Sequence, residues 1–353
     1  MHDEKRKIMI TGGAGFIGSH LAHLAVARGF TVEVVDNLVN GNADYLADLP
    51  PDACRLSVVD VRDTGAMRDL MAGCDVVYHL ACLGVRHSIH SPRESHDVNA
   101  TGTMSVLEAA REVGIGQLVF TSSAEVYGSA CSGPVVEQGE LAPTNAYGAA
   151  KLGAEGYARA FHVCYDLPTV VLRLFNTFGP REHHEGDCGE VIPKFLLRAN
   201  AGQPLVVFGD GSQTRDFNFV EDTARAILEA GLRPEAVGHV INVGSGFETS
   251  INDLARMVID VVGNPDVQIV HEAPRPADIA RMCANGTKAR ELLGYAPEIP
   301  LADGLRRLNE WYAAEGVTVD DLLTEECVHN WVGDEVAATG RLRDGAGRAV
   351  PTT

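Results

Sequence analysis

A glycine-rich turn near the N-terminus restricts the possible folds of this chain more than any other feature. The apolar residues Ile8, Met9 and Ile10 are followed directly by Thr-Gly-Gly-Ala-Gly-Phe-Ile-Gly at positions 11–18. Glycines at 12, 15 and 18 allow a sharp turn from a strand into a helix, with no side chain between the backbone and a phosphate. The same turn can be purely structural, so the residues around it decide its meaning.

The context of this turn favours a dinucleotide. Residues Phe16–Ala27 follow with helical periodicity, and Thr31–Val35 form a second β-rich run that ends in Asp36. A carboxylate at that position accepts hydrogen bonds from both hydroxyls of the adenosine ribose and repels a 2′-phosphate. The pattern therefore predicts NAD rather than NADP, although a solvated aspartate at a strand end gives the same local sequence.

The order of the apolar runs predicts the fold class. Strand-like runs occur at Lys7–Thr11, Thr31–Val35, Leu56–Val59, Val76–Leu80, Gln117–Ser122 and Thr169–Leu174, with helical stretches between most of them. This alternation is typical of an α/β fold with a Rossmann-type, doubly wound parallel sheet. We expect residues 1–176 to form the NAD-binding domain, with later core elements returning to it at about 215–250. Residues 177–315 are expected to form mainly a smaller C-terminal substrate-binding lobe, and residues 316–353 a C-terminal extension.

Composition and charge argue against several classes of partner. The chain has 353 residues and a formal net charge of −19, which disfavours nucleic acid and anionic membranes because both select clustered Lys and Arg. The sequence shows no apolar N-terminal signal segment, no apolar run long enough to cross a bilayer and no Cys-x-x-Cys pair among its eight cysteines. We therefore expect a cytoplasmic protein in which local arginines bind any anionic ligand.

Tyr147 and Lys151 carry the predicted chemistry. Residues four apart share one face of a helix, so the lysine ammonium and a nicotinamide cation can both lower the pKa of the phenol from about 10 toward neutrality. The phenolate then accepts a proton from a substrate hydroxyl. Ser123, at the end of the fifth strand-like run, supplies a hydroxyl that can hold the same substrate oxygen. A Tyr-x-x-x-Lys pair can also be ordinary helix surface, and Ser123 an ordinary turn residue.

From about Lys7 to Tyr312 the chain resembles the extended short-chain dehydrogenase/reductase family, in its nucleotide-sugar branch. The motifs that carry the resemblance are Thr-Gly-Gly-x-Gly-Phe-Ile-Gly at 11–18, Asp60-Val61, Leu80-Ala81-Cys82, Val98-Asn99, Ser123, Tyr147-x-x-x-Lys151 and Arg173-Leu174-Phe175-Asn176. The resemblance implies an NAD-binding set that consists of Gly12, Gly15, Phe16, Ile17, Gly18, Asp36, Asn37, Asp60, Val61, Leu80, Ala81, Cys82, Asn99, Thr121, Tyr147 and Lys151.

The same resemblance implies a nucleotide-sugar site. Relatives hold the nucleotide diphosphate and its ribose at the positions of Asn176, Val191, Phe208, Arg215, Arg275 and Asp278. Two arginines that converge on a diphosphate also fit an otherwise acidic protein, although either arginine alone can be a surface ion pair. A UDP-sugar is implied by the branch, because no residue of the sequence identifies the base.

Members of this branch oxidise C4 of the hexose and use the resulting ketone in different ways. An epimerase returns the hydride to the other face of the sugar. A 4,6-dehydratase also expels the C6 hydroxyl, and such relatives carry Asp-Glu where this chain has Ala124-Glu125. A decarboxylase needs a C6 carboxylate beside the ketone and keeps a glutamate like Glu125. We expect Glu125 either to shuttle a proton or to bind a sugar hydroxyl.

Two arginines point to a carboxylated sugar. The segments Gly84-Val85-Arg86 and Gly179-Pro180-Arg181 resemble those of UDP-glucuronate 4-epimerases, and a guanidinium can bind a carboxylate through two parallel hydrogen bonds. We therefore expect an NAD-dependent 4-epimerase that interconverts UDP-glucuronate and UDP-galacturonate, with Arg86 and Arg181 near the sugar.

Other functions remain open. They are a UDP-glucuronate decarboxylase that forms UDP-xylose, a 4-epimerase or 4,6-dehydratase of a neutral UDP- or dTDP-hexose, and an NAD-binding regulatory protein without activity. His183 and His184 either line the sugar pocket or bind nothing, and we expect no metal site because no other ligand cluster accompanies them.

A homodimer is also implied by the resemblance. Relatives pair through the helices around residues 98–113 and 145–166 and form a four-helix bundle. The small and apolar residues that offer such a face are Val106, Leu107, Ala110, Leu152 and Ala160. Packing in the core of one subunit accounts for these residues equally well.

Overall fold

The structure is a computed structural model and describes residues 6–128, 133–186, 188–275, 278–314, 318–324 and 326–329. Its strands are β1 (Lys7–Thr11), β2 (Thr31–Asp36), β3 (Cys54–Val58), β4 (Val76–His79), β5 (Gln117–Ser123), β6 (Thr169–Leu174), β7 (Asn176–Phe178), β8 (Leu205–Phe208), β9 (Thr214–Arg215), β10 (Phe217–Phe219), β11 (Val240–Val243), β12 (Thr249–Ser250) and β13 (Ile269–Glu272). Its helices are α1 (Phe16–Ala27), α2 (Thr64–Met71), α3 (Val85–His90), α4 (Pro92–His96), α5 (Gly102–Val113), α6 (Ala146–Tyr165), α7 (Val191–Asn200), α8 (Val220–Ala230), α9 (Ile251–Val262), α10 (Thr287–Leu293), α11 (Leu301–Ala314) and α12 (Val319–Leu323).

Within the described residues, seven parallel strands form the main sheet in the order β11-β6-β5-β4-β1-β2-β3. All six predicted strands are present, and β11 joins them beside β6. The direction of strand addition reverses between β1 and β4, so a crevice opens at the carboxyl ends of these two strands. The predicted Rossmann-type α/β fold is confirmed.

Alternating side chains of the central strands bury both faces of this sheet. Ile8 and Ile10 pack into one apolar core with α1 and α8, whereas Met9 packs into a second core with α2, α5 and α6. This alternation explains why the N-terminal strand is apolar at every central position, as expected for a parallel sheet covered on both faces.

The glycine-rich turn connects β1 to α1 in a space that excludes larger side chains. Gly12 has a φ of +68°, and a Cβ on it would lie 2.7 Å from the backbone nitrogen of Ala81. A Cβ on Gly18 would overlap the carbonyl oxygen of Gly12. No side chain caps the N-terminus of α1, whose N-cap residue is Gly15. The backbone N–H groups of this first helical turn therefore remain available to an anionic ligand.

A buried ion pair joins α6 to the sheet. The Arg173 guanidinium on β6 donates to both carboxylate oxygens of Glu155 on α6, at 2.9 and 2.8 Å, and both side chains are 2% exposed. Ser122 on β5 donates to the same carboxylate at 2.5 Å, and Arg173 also donates to the Tyr127 hydroxyl at 2.8 Å. This network fixes the helix that carries Tyr147 relative to β5 and β6.

Short strand pairs build the smaller lobe. β7 and β10 are parallel, β8 and β13 are parallel, and β9 and β12 are antiparallel. The first two pairs share an apolar core with α7, α9 and α11. β11 returns to the main sheet from within the predicted 215–250 region. The described part of the predicted extension contains α12, whereas residues 330–353 lie outside the described residues; the domain boundaries stay a prediction.

The helices predicted to form the dimer interface carry some apolar residues that are buried in the core and others that lie at the surface. Val106, Leu107 and Ala110 are fully buried in the core beside α6, so packing within one subunit explains them. Leu152 is half-buried, Ala160 is exposed, and the large exposed apolar residues of α6 are Tyr157, Val163 and Tyr165. The homodimer stays a prediction, which now depends on these exposed residues. Separately, no helix in the described ranges is long and apolar enough to cross a membrane.

Candidate active site

Two adjoining cavities open where the strands of the main sheet end. The first has a volume of about 370 Å³ and runs along the glycine-rich turn and the ends of β2, β4, β5 and β6. The second has a volume of about 110 Å³ and lies in the smaller lobe. Four residues line both cavities, namely Arg86, Asn176, Glu190 and Val191. A ligand longer than either cavity can therefore extend through both.

Most of the predicted site residues line one of these cavities. The predicted cofactor residues around the first cavity are Gly12, Gly15, Phe16, Ile17, Gly18, Asp36, Asn37, Asp60, Val61, Leu80, Ala81, Cys82, Thr121, Tyr147 and Lys151. Ser123 and Glu125 line the same cavity. The predicted substrate residues around the second are Arg86, Asn176, Val191, Phe208, Arg215, Arg275 and Asp278.

Asp36 occupies the end of β2, as the sequence predicts. Its carboxylate accepts hydrogen bonds from the backbone N–H groups of Ala14, at 3.0 Å, and Leu38, at 2.9 Å. Burial raises the pKa of this carboxyl, and the two backbone hydrogen bonds oppose that rise. Asp36 therefore links the glycine-rich turn to the loop after β2 as well as bordering the first cavity.

Asn99 is the predicted cofactor residue that does not border either cavity. It is fully buried, and its amide exchanges two hydrogen bonds of 2.9 Å with the backbone of Leu83. Leu83 itself lines the first cavity. Asn99 therefore holds the peptide of a residue in the cavity wall, and its direct contact with the cofactor stays a prediction.

Tyr147 and Lys151 lie together at the start of α6. The side chain of Asn145 accepts a hydrogen bond from the backbone N–H of Gly148 at 2.8 Å and so caps this helix. Lys151 is 2% exposed, and its ammonium donates to the carbonyl of Thr121 at 2.9 Å. The ammonium lies 5.8 Å from the centroid of the Tyr147 ring. The predicted helical placement of the pair is present.

The groups around Tyr147 raise the pKa of its phenol, and the lowering expected from Lys151 together with a nicotinamide cation stays a prediction. Desolvation raises this pKa well above its usual value, and the negative potential of Cys82, Glu125 and Glu190 adds to the rise. Hydrogen bonding with Ser123 opposes it. Burial also lowers the pKa of Lys151. Burial and the neighbouring acidic groups therefore oppose ionisation of this phenol, whereas a positive charge beside it would favour ionisation.

The two residues that follow Ser123 differ in whether they carry a carboxyl group. Ala124 is 2% exposed and has no proton to donate, whereas Glu125 borders the first cavity. The Asn145 amide donates to the Glu125 carboxylate at 2.8 Å, and the Glu125 backbone N–H donates to the Ser123 hydroxyl at 3.2 Å. One carboxylate is thus available beside Ser123, and it is already oriented by a neutral partner.

The two arginines expected near the sugar have different positions. Arg86 lies where the cavities meet and forms an ion pair of 2.6 Å with Glu190. Arg181 borders neither cavity, and its guanidinium lies over the Tyr45 ring at 5.2 Å and 3.4 Å from the His23 ring nitrogen. Arg181 has a φ of +70°, so the turn that contains it directs the side chain toward α1 and the loop after β2. Arg181 thus lies outside both cavities, and its approach to the sugar stays a prediction.

The histidine pair binds a carboxylate. His183 contacts Glu185 at 3.0 Å, and the backbone N–H of His184 donates to Glu185 at 2.8 Å. His183 also borders the first cavity, as one of the open interpretations of the sequence required. Across the described ranges, no group of three or more His, Cys, Asp or Glu residues is arranged to hold a metal ion.

Sequence reasoning missed Glu182 and Glu190, which both border the first cavity. Glu190 directly precedes Val191, and Glu182 directly follows Arg181. Acidic residues beside predicted ligand-binding residues are therefore a signal that could have identified them. Glu182 is 6% exposed and accepts a hydrogen bond from the backbone N–H of Gly179 at 3.1 Å.

Substituting Glu182 by Gln is expected to stabilise the protein at neutral and alkaline pH. Desolvation, followed by the charge of Glu190, raises the pKa of Glu182 well above its usual value. The folded state therefore binds this proton more tightly than the unfolded state, and the resulting stability is lost as the pH rises above the unfolded value of about 4.3. Thermal unfolding should show the largest gain for Glu182→Gln at about pH 8 and almost none at about pH 4.

Glu185→Gln is the matched control, and it is expected to change the stability of the protein in the opposite direction. Burial opposes ionisation of Glu185, but hydrogen bonding and charge from His183 hold its pKa well below the usual range. This group stabilises the fold above its unfolded pKa, so the Gln variant should lose stability at neutral pH. Equal shifts for the two variants would contradict the assignment of Glu182 as a neutral carboxyl.

Both positively and negatively charged side chains line the second cavity. Arg215 and Arg275 both donate to one oxygen of Asp278, at 2.5 and 2.6 Å. Two guanidinium groups that share one carboxylate retain a net positive charge, which is suited to a diphosphate. Lys194 and Arg198 of α7 also border this cavity and were not predicted.

Known proteins match most of the chain. A protein-family model described as GDP-mannose 4,6-dehydratase matches residues 9–308. UDP-glucose 4-epimerase of Mycolicibacterium smegmatis is 35% identical over 312 residues, which are 87% of this chain and 98% of that protein. UDP-N-acetyl-alpha-D-glucosaminuronate decarboxylase of Bacillus cytotoxicus is 33% identical over 324 residues, with 87% and 98% coverage.

A solved structure agrees with both the fold and the cofactor that are expected for this chain. DesIV, a dTDP-glucose 4,6-dehydratase from Streptomyces venezuelae with NAD and TYD bound, superposes with a TM-score of 0.82 at 32% identity. The match covers 87% of this chain and 97% of DesIV. Proteins described as an epimerase, a decarboxylase and a dehydratase thus each match most of this chain. The chain belongs to the nucleotide-sugar epimerase, dehydratase and decarboxylase branch of the extended short-chain dehydrogenase/reductase family.

Proposed function

We propose that this protein is an NAD-dependent UDP-hexose 4-epimerase. One observation carries the proposal: Ser123, Tyr147 and Lys151 border the same cavity as the glycine-rich turn, whereas the residue next to Ser123 is the buried Ala124. Epimerisation needs a base, a cofactor and space for the sugar, but dehydration also needs an acid that protonates the leaving hydroxyl. The proposed activity uses the groups present and requires no group at position 124.

The first cavity fits NAD. The close approach of Gly12 to Ala81 leaves no room for a Cβ in the turn, and the uncapped first turn of α1 offers backbone donors to a pyrophosphate. Asp36 lies at the position that binds an adenosine ribose, and Lys151 lies near the catalytic tyrosine. When bound there, NAD supplies reversible hydride transfer at C4 of the sugar and the positive charge of its nicotinamide.

Three side chains handle the proton at O4 of the sugar. Tyr147 removes this proton and later returns it, and the Ser123 hydroxyl holds the same oxygen through a hydrogen bond. Lys151 stabilises the phenolate, because an ammonium fixed by the carbonyl of Thr121 cannot turn away from the ring. Glu125 binds a neighbouring sugar hydroxyl, an assignment that agrees with its orientation by Asn145.

The nucleotide diphosphate is placed in the second cavity. Arg215 and Arg275 bind its phosphate oxygens and Asp278 positions both guanidinium groups, while Asn176 contacts the segment that enters from the first cavity. Val191 and Phe208 supply apolar contacts to the nucleoside. Two of the proteins named above, the epimerase of Mycolicibacterium smegmatis and the decarboxylase of Bacillus cytotoxicus, are named for UDP-sugars, which supports UDP as the nucleotide.

The charges near the sugar favour a neutral hexose over a uronate. Arg86 is the sole arginine among the described residues of the first cavity, and Glu190 already pairs with it. Glu125 adds a second carboxylate to the same wall. A C6 carboxylate would have to compete with Glu190 for Arg86 and approach Glu125, which is electrostatically unfavourable. Interconversion of UDP-glucuronate and UDP-galacturonate remains the second candidate, and Arg86 is the observation that favours it.

Parallel incubations with UDP-glucose and UDP-glucuronate, without added cofactor, test this proposal. We expect UDP-glucose to yield a product of unchanged mass and new chromatographic retention, at a higher kcat/KM than UDP-glucuronate. Preferred epimerisation of UDP-glucuronate would favour the second candidate. Loss of the mass of carbon dioxide from UDP-glucuronate, or of water from either sugar nucleotide, would contradict epimerisation and identify a decarboxylase or a dehydratase.

A further inference from the structure

The chain continues past its family match into a segment that packs against the smaller lobe. The match to the family model ends at residue 308, whereas the described chain continues through α12 to His329. Val319, Leu322 and Leu323 of α12 pack against the core that contains α7 and α9. This apolar docking brings the chain that follows α12 alongside α7.

Polar contacts then hold residues 326–329, here called the C-terminal strap. The carboxylate of Glu326 accepts a hydrogen bond of 2.8 Å from Arg198, and the Glu326 side chain is 8% exposed. Lys194 donates to the carbonyl of Cys327 at 2.6 Å. His329 contacts Glu272 on β13 at 2.9 Å. The strap is therefore fixed to two separate elements, α7 and β13.

The strap also forms part of the wall of that cavity. Glu326 and Val328 border it together with Phe208, Arg215 and Arg275. Lys194 and Arg198, the two cations that hold the strap, border the same cavity. The strap thus adds an apolar side chain to the wall and compensates the charge of Arg198, which leaves Arg215 and Arg275 to attract an anion.

We propose that the C-terminal strap is a substrate-binding element that contacts the nucleoside diphosphate and determines how tightly it is held. This proposal rests on the proposed function, which puts the nucleoside diphosphate in the second cavity. A ligand in a cavity of about 110 Å³ contacts all of its walls, so it must touch the strap. The chemical step occurs at Tyr147, which borders the first cavity and not the second. The strap should therefore affect KM and nucleotide affinity more than kcat or NAD affinity.

The test is UDP binding to the full chain with NAD bound, measured by calorimetry, for the Val328→Trp variant. An indole at this position projects into the second cavity, so the Kd of UDP should rise at least about tenfold. NAD affinity and the thermal midpoint should be unchanged. The matched control is Thr324→Trp, which places the same side chain on an exposed residue that borders neither cavity. Equal affinity of Val328→Trp and the unmodified protein for UDP, or equal weakening by both variants, would overturn the proposal.

Hydrogen exchange of the unmodified protein gives a second test that does not depend on a variant. Addition of UDP to the NAD-bound protein should slow amide exchange in peptides that contain residues 326–329. Binding of UDP without such protection would overturn the role of the strap and leave the proposed function intact. Failure of UDP to bind the unmodified protein would instead contradict the proposed function itself.

Discussion

The Tyr147→Phe variant is expected to lose about 10²–10⁴ of kcat for 4-epimerisation, because it removes the group that transfers the proton at O4. Phe keeps the ring that borders the first cavity and the aromatic contact near Lys151. NAD affinity and the thermal midpoint should therefore stay close to those of the unmodified protein. Turnover is measured with UDP-glucose, and bound NAD is quantified after release from the denatured protein.

This variant also separates an enzyme from a regulatory protein that retains NAD as a structural ligand. A regulatory protein would keep its effect on its partner in the absence of the phenol. Undiminished turnover by Tyr147→Phe would contradict the catalytic assignment. Loss of both turnover and NAD would show that the Tyr147 hydroxyl also has a structural role, in which case Ser123→Ala becomes the cleaner test of the proton-transfer site.

The Arg173→Leu variant is expected to lower the free energy of unfolding by about 3–5 kcal/mol. The substitution leaves the Glu155 carboxylate buried without its bidentate partner. It also removes the guanidinium that donates a hydrogen bond to the Tyr127 hydroxyl. Urea unfolding followed by circular dichroism measures the change. Loss of a surface ion pair would cost at most about 1 kcal/mol, so a small effect would contradict the buried character of this pair.

A double variant tests the physical reason for this loss. Replacing Arg173 by Met and Glu155 by Leu removes both charges, so that neither is buried without compensation. Such replacements are often nearly neutral, so the double variant should recover most of the stability that the single variant loses. Additive losses would show that the separate contacts of Arg173, such as that with the carbonyl of Glu137 at 3.0 Å, account for the effect.

Local sequence predicted the parts of the site that depend on residues close together in the chain. The glycine-rich turn, Asp36 at the end of β2 and the Tyr147-Lys151 pair are each fixed by one strand end or one helical repeat. The alternation of strand-like and helical runs along the chain similarly predicted the sheet. These features were accessible because backbone geometry alone determines where such side chains point.

Distant pairings were not accessible in this way. The position of Arg181 depends on a positive φ and on a partner ring at Tyr45, and the partner of Arg86 is Glu190, far along the chain. The pKa of Tyr147 depends on the summed desolvation and charge of a cavity that several elements enclose. A single sequence contains the residues in these contacts but does not specify which of them meet.

The four residues common to both cavities connect the two parts of the proposed substrate site. Arg86, Asn176, Glu190 and Val191 line both cavities, so a ligand that extends through both passes these residues. In the proposed function, the nucleotide is recognised in one cavity and the sugar is transformed in the other. Changes in the smaller lobe can alter nucleotide preference while the oxidation chemistry stays intact, which makes this architecture well suited to acquiring new substrates one half at a time.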